Sequence, residues 1–311
     1  MKPLNSYYPA FCILVVVCLL SAAAPADTKY DRLVVFGDSL SDPGNAFVLT
    51  GMSLVPPYTD LIPEYPSARG GHHLSNGSTW IEQLATQMNL VQSVGPALRV
   101  PGVFSNYAID RTRACWESPS PTYLDLSGQV DLFLADFGAA QANALYVVFI
   151  GGNDVRDALT SQNPPAVIEC ALTSVYANFI ALIDAGARTF LVANVPNLGQ
   201  VPAVALLGKD AREGATGAAF YFNQQLEGIL SGIESAYGGE VRFYRLNTFG
   251  LITQASASHP DLNVTEPCID VFAGTVCAPS SKHLFWDGIH PTATGHALIA
   301  EEAASVLGLY Q

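Results

Sequence analysis

Short apolar runs recur along the chain at Leu33–Phe36, Leu145–Ile150, Phe190–Val192 and Val241–Leu246, with a weaker one at Val103–Ala108. Each is mostly β-branched or aromatic, the pattern of a strand buried on both faces. Helical patterns lie between them. Thr79-x-x-Glu82 has the form of a capping box, and behind it Ile81, Leu84, Ala85 and Met88 recur at helical spacing. Val130, Phe133, Leu134 and Phe137 form a second stripe. A longer one, Ile168, Leu172, Val175, Phe179, Leu182 and Ile183, stops at Gly186, where glycine can take a left-handed cap. Ile299, Ala303, Val306 and Leu307 make a fourth. Strands alternating with such helices predict an α/β fold with a parallel central sheet, because right-handed crossovers deposit helices on both of its faces. Ligands in such sheets collect at the carboxyl ends of the strands. The proline-rich stretch Val55–Pro66 reads as a surface loop, and no repeat or linker divides the chain.

Residues 1–26 have a different character. Lys2 precedes an apolar run from Ala10 to Leu20 and the small residues Ser21 to Ala26, which is the pattern of a secretory signal peptide cleaved after Ala26. The run is shorter than the roughly 20 apolar residues of a membrane span, so a secreted chain with no stable membrane insertion is expected. Half of the sequence is hydrophobic, enough for one core, and residues 27–311 are expected to form a single domain and a monomer. The formal charge of −13 becomes one unit more negative when Lys2 is lost. Such a surface repels phosphate backbones and excludes nucleic acid as a partner. Of the six cysteines, Cys12 and Cys18 leave with the signal peptide. The remaining four allow three pairings. Closeness in sequence favours Cys268 with Cys277, which leaves Cys115 for Cys170, and no Cys-x-x-Cys spacing suggests zinc. Sequons at Asn76 and Asn263 are candidate glycosylation sites.

Three segments carry candidate chemistry. The first strand runs into Gly37-Asp38-Ser39, so Ser39 stands just past a buried strand end. Serine there is commonly a helix cap, and its role depends on the rest of the chain. Near the other end, Asp287-Gly288-Ile289-His290 places a carboxylate three residues before an imidazole, within reach of one turn. A serine hydroxyl needs a base near pKa 6.5 to take its proton and a carboxylate to hold that base in the right tautomer. Ser39, His290 and Asp287 supply those three roles. Strand Leu145–Ile150 ends in Gly151-Gly152-Asn153-Asp154, where the Asn153 amide is a candidate oxyanion donor beside the Ser39 amide. Taken alone, that segment is also an ordinary turn sequence. The histidines His72, His73, His259, His283 and His296 have no comparable neighbour and read as structural or surface residues.

Together, GDSLSDPGN at Gly37–Asn45, GGND at Gly151–Asp154 and DGIHPT at Asp287–Thr292 resemble the GDSL or SGNH hydrolases. SNGSTWIEQLA at Ser75–Ala85 and NVPNLGQVPAV at Asn194–Val204 resemble the secreted phospholipase, lecithinase or haemolysin branch, which shares much with plant GDSL esterases. The resemblance implies a flavodoxin-like three-layer α/β/α fold and esterase or lipase activity without a cofactor or metal. It also implies the roles above for Ser39, Asp287, His290 and Asn153. One departure stands out: these relatives place a glycine shortly after a segment like Asn106-Tyr107-Ala108, and its N–H enters the oxyanion hole. Here Ile109-Asp110-Arg111-Thr112 follows, so the third N–H falls to Asp110 or Arg111, Asp110 being the expected donor and Arg111 otherwise lying near the substrate or paired with Asp110. Expected substrates are small esters, acylated saccharides or lipids, and the lack of a long apolar lid between Pro56 and Gly71 favours short-chain or acetyl esters. Two rival readings are weighed. Asp38, Asp42, Asn45, Asn153, Asp154 and His290 are groups that can surround cations in a phosphoesterase. Tyr58, Tyr65, Trp80 and Trp286, read as loop aromatics, suit an inactive carbohydrate-binding protein.

Overall fold

A computed structural model describes residues 30–116 and 124–309, so the leader read over residues 1–26 lies outside the described residues. The elements begin with β1 (Arg32–Gly37), α1 (Asn45–Thr50), α2 (Trp80–Gln87), α3 (Leu126–Phe137) and β2 (Ala144–Phe149). They continue through α4 (Gly152–Ala158), α5 (Pro164–Asp184), β3 (Thr189–Ala193), α6 (Pro202–Ala205), α7 (Lys209–Ala236) and β4 (Arg242–Leu246). The last are α8 (Leu251–Ser258), β5 (Asn263–Pro267), β6 (Ile269–Asp270), β7 (Thr275–Val276), β8 (His283–Phe285) and α9 (Ala293–Leu307).

The central sheet has the order β1-β2-β3-β4, all parallel, with Val35 opposite Val147 and Val147 opposite Leu191. Alternate residues leave opposite faces of each strand. Val34, Phe36, Tyr146, Val148 and Phe190 pack on one side against Phe133 of α3, Phe179 of α5 and Phe222 of α7. Leu33, Val35, Leu145, Val147 and Leu191 pack on the other against Trp80 and Leu84 of α2 and Ile299 and Ala303 of α9. The result is the expected three-layer α/β/α sandwich. α5 is long and apolar enough to span a membrane by composition alone, yet Ile168, Val175, Phe179 and Leu182 are buried in this core.

The weak run at Val103–Ala108 lies along the free edge of β1. Val35 N–H donates to Ser105 O at 2.9 Å and Tyr107 N–H to Val35 O at 2.8 Å. The pairing is an isolated parallel bridge between Val35 and Asn106, followed by Ile109 N–H donating to Gly37 O at 3.1 Å. The Asn106 side chain turns to the neighbouring loop, where its amide donates to Ser41 O at 2.9 Å. With this segment counted as a strand, the chain-order pattern is 2-1-3-4-5, the flavodoxin-like order, whose ligand crevice opens where the order reverses. That switch point lies between β1 and β2, the two strands that run into Ser39 and Asn153.

The structure pairs Cys115 with Cys170 and Cys268 with Cys277. The second bridge closes the β6–β7 hairpin, which hangs from the end of β8 through Cys268 N–H donating to Phe285 O at 2.9 Å.

Candidate active site

Ser39 follows β1 at the switch point. Its Oγ lies 3.0 Å from His290 Nε2, and His290 Nδ1 lies 2.8 Å from Asp287 Oδ2. Residues 251 apart in sequence are thereby joined to a turn of four. That turn is self-organised: Asp287 Oδ1 accepts the N–H groups of Ile289 and His290, both at 2.9 Å, and Trp286 N–H donates to His290 O at 2.7 Å. Gly288 is required by close approach, since a Cβ there would lie 2.6 Å from Leu61 O. The following Thr292 caps α9 by accepting Gly295 N–H at 3.1 Å. Residues of the SNG segment brace the same stretch: Ser75 Oγ donates to Pro291 O at 2.9 Å and Asn76 Oδ1 accepts Ala293 N–H at 2.7 Å. Asn76, one of the two sequons, thus has its amide oxygen in use next to the site, whereas Asn263 lies partly exposed on β5.

Burial pulls the His290 imidazole toward neutrality, but the charge of Asp287 and its hydrogen bond outweigh that effect and hold the imidazole above its usual range. Two further carboxylates contribute in the same sense, Asp110 and Asp38. Burial pushes Asp38 up to about 6 and Asp110 to about 7, the nearby His290 and Arg residues opposing this only in part.

The remaining groups of the GDSL-like loop are structural. Asp42 accepts four backbone N–H groups, from Gly44 at 2.7 Å, Asn45 at 2.6 Å, Ala46 at 3.1 Å and Asp110 at 2.8 Å. Asn45 donates to Asn106 O and Ala108 O, which ties the loop to the edge segment. Asp154 accepts from Ala114 N at 2.9 Å and Cys115 N at 3.1 Å. The carboxylates weighed as cation ligands are therefore occupied by backbone donors. Three of the four loop aromatics are also reassigned, Tyr65 alone remaining partly exposed. Trp80 is fully buried with its Nε1 donating to Ser41 Oγ at 3.0 Å, and Tyr58 and Trp286 pack edge to face in a small buried cluster. Aromatic side chains that pack inward offer no stacking face to a sugar.

Asn153 sits in the first turn of α4, where Gly151 makes the sharp entry at φ 111°. Its Nδ2 donates to Thr112 O at 2.9 Å, which orients the amide and leaves a second N–H. Asp110, expected as the third oxyanion donor, is corrected: its N–H is held by Asp42 and is not free to face a substrate. The next residue differs. Arg111 has φ 62°, the left-handed conformation that favours glycine, so a side chain stands at a backbone geometry suited to a residue without one. Among the described residues the backbone N–H groups of Arg111 and Ser39 have no acceptor.

Two cavities meet at Ser39 and His290. One has walls dominated by Leu40, Val201, Val204, Leu251, Ile252 and Leu284. The other is bounded by Ile62, Pro63, Asp110, Arg111, Arg113 and Trp116. Asn153 and Arg156 line both. Arg156 has no counterpart in the expectations from sequence, because one arginine on a helix ordinarily reads as a solvated residue.

Comparison with known proteins gives concordant results. The family model described as GDSL-like Lipase/Acylhydrolase matches residues 33–303. The chain is 25% identical to a phosphatidylcholine-sterol acyltransferase of Aeromonas hydrophila over 95% of this chain and 96% of that protein. It is 29% identical to an acetylesterase of Thermothelomyces thermophilus over 70% of each. Among solved structures, a catalytic mutant of an acetylxylan esterase from Geobacillus stearothermophilus superposes with a TM-score of 0.50, at 12% identity, over 90% of this chain and 94% of that one. At that identity the likeness concerns the fold.

Proposed function

The chain belongs to the GDSL-like lipase/acylhydrolase family and is an ester hydrolase, and from that premise we propose that it works through an acyl-enzyme formed on Ser39. His290 Nε2 takes the Ser39 proton as Oγ attacks the ester carbonyl. Asp287 holds the Nδ1–H tautomer and stabilises the imidazolium. The developing oxyanion is met by the Ser39 and Arg111 backbone N–H groups and by Asn153 Nδ2. The imidazolium then protonates the departing alcohol, and water, activated by the same base, releases the acid. The observation that carries this reading is the continuous Ser39–His290–Asp287 contact, with steps of 3.0 Å and 2.8 Å.

The apolar cavity bears on the acyl group. An acetyl group needs none of the leucine, valine and isoleucine side chains along it, whereas each methylene of a longer chain gains about 0.8 kcal/mol by leaving water for such walls. This favours medium or long apolar acyl chains, hence the lipid-ester reading over the short-chain preference expected from the missing lid. The relatives' printed substrates span both cases, acetyl esters and a phosphatidylcholine acyl donor. Secretion of a single 27–311 domain is supported by two disulfides, which persist in oxidising compartments. Rates on p-nitrophenyl esters from acetate to palmitate test the acyl reading. A rise in kcat/KM from acetate toward octanoate or beyond is expected, and a maximum at acetate with a steep fall thereafter contradicts it.

A further inference from the structure

Three guanidinium groups line the polar cavity, and two of them are neutralised. Arg113 is paired with Asp157, its Nη2 2.9 Å from Oδ1, and stacks over Trp116 at 4.3 Å. Arg111 Nη1 donates to Glu64 Oε1 at 3.2 Å, with its Nε 3.8 Å from Asp110 Oδ2. Arg156 is the exception: half-buried between the two cavities, it makes no hydrogen bond or ion pair among the described residues. Its five N–H donors face the two cavities with no acceptor among the described residues. Burial, and then the charge of Arg113, hold the guanidinium below its usual range, opposed only in part by Asp157, Asp110 and Asp38. The carboxylates whose charge reaches it do not hydrogen-bond to it, and Asp157 is held by Arg113. Asp38 Oδ1 accepts Leu40 N–H at 3.0 Å, and Asp110 Oδ2 is enclosed.

Arg156 also has a fixed relation to the reaction centre. It lies three residues after Asn153 in α4, so the two share a helix face with Cβ atoms roughly 5–6 Å apart. An anion held by Arg156 would therefore share a cavity with the ester group at Ser39. The walls of the first cavity are mostly apolar, whereas those of the second carry Asp110, Arg111 and Arg113, so the charged part of the alcohol is assigned to the second.

We propose that Arg156 forms an anion-accepting subsite for the alcohol part of the substrate, selecting esters whose leaving alcohol carries a phosphate or carboxylate a short spacer from the ester oxygen. The planar guanidinium matches either group through two parallel N–H bonds. The subsite rests on the reading of Ser39 as nucleophile, because it is defined by distance from that centre.

The test uses three butyrate esters with one aromatic alcohol framework, 3-hydroxybenzoate, 3-hydroxyphenyl phosphate and methyl 3-hydroxybenzoate, on the wild type, R156Q and R156K. Dividing each kcat/KM by that for the neutral methyl ester, and comparing across proteins, cancels intrinsic ester reactivity. The ratio for one or both charged esters is expected to fall about 10–100-fold in R156Q, with R156K between. The ester with the larger fall identifies the anion. Ratios that stay within about twofold of wild type overturn the subsite, as does an equal loss on all three esters, which would place Arg156 in the chemistry rather than in recognition. Should neither variant fold, the wild type still decides: after correction for alkaline hydrolysis rates it must prefer a charged ester, and a preference for the neutral one overturns the proposal. Failure of the wild type to cleave any of the three contradicts the esterase reading instead.

Discussion

Gln129 and Gly37 exchange a pair of hydrogen bonds: Gly37 N–H donates to Gln129 Oε1 at 2.9 Å, and Gln129 Nε2 donates back to Gly37 O at 2.8 Å. The same amide reaches Thr112 Oγ1 at 3.0 Å. A side chain from α3 thereby grips the peptide two residues before Ser39 and connects it to the segment that carries Arg111. Gly37 itself admits no side chain, since a Cβ there would lie 2.6 Å from Phe149 O.

Gln129→Leu is expected to lower both stability and turnover. It leaves the buried Gly37 N–H without a partner, at about 1–3 kcal/mol, while Gly37 O keeps the Ile109 N–H and Thr112 Oγ1 keeps Leu124 O. Because Ser39 is positioned from Gly37, kcat on an activated ester should fall more than KM rises. Chemical denaturation and steady-state kinetics on the same variant check this, and a variant as stable and as active as wild type contradicts it.

The acid limb of the activity should lie above the ordinary histidine value. Only neutral His290 accepts the Ser39 proton, and its affinity for protons is raised by Asp287 and, further out, by Asp110 and Asp38. Activity is therefore present above the raised value and is lost as pH falls through it, with a midpoint higher than the roughly 6.5 of an unperturbed imidazole. Asp110→Asn removes one of the charges that raise it, so the limb should move to lower pH. A kcat/KM profile with its midpoint below about 6, or an Asp110→Asn profile displaced upward, contradicts the assignment.

Asn153→Ala should lower kcat by about 10²–10³-fold, roughly 2.7–4 kcal/mol, with a much smaller change in KM, because the donor interacts most strongly once charge has developed on the oxygen. The lost hydrogen bond to Thr112 O also predicts a modest fall in melting temperature. Pre-steady-state measurement of the acylation step separates the two effects. Near-normal acylation in the variant would remove Asn153 from the oxyanion hole.

The central strands are legible in the sequence because they are covered on both faces and so appear as unbroken apolar runs. β2 is buried at all six positions. α7 is not, although its buried residues Ala215, Ala219, Phe222, Leu226, Leu230 and Ile233 do follow helical spacing. Two of the six are alanine, and Gly214, Gly217, Gly228 and Gly232 further dilute the contrast between its faces. The small β5–β8 and β6–β7 pairs leave no pattern, being short, and β5 and β7 have no buried position.

At the site, Asp287 and His290 can be read together because one turn joins them, and Ser39 because it follows a strand end. The partners of Asp42 and of the Asp110 amide are legible only in three dimensions. Asp42 lies 68 residues before Asp110, and nothing local marks a carboxylate that serves backbone donors rather than a cation. Trp80 and Trp286 follow the same logic. Each stands beside polar residues in sequence, and each is carried inward by packing that spacing does not encode.

The nucleophile assignment is tested most directly by reacting the protein with a serine-directed fluorophosphonate and locating the adduct by peptide mass spectrometry, with esterase activity followed in parallel. One adduct per chain is expected, on Ser39, with activity lost in proportion to labelling. Ser39→Ala should keep the fold, take up no label and lose roughly 10³-fold or more in kcat. Full esterase activity in a chain stoichiometrically labelled at Ser39, or undiminished activity in Ser39→Ala, would contradict the mechanism.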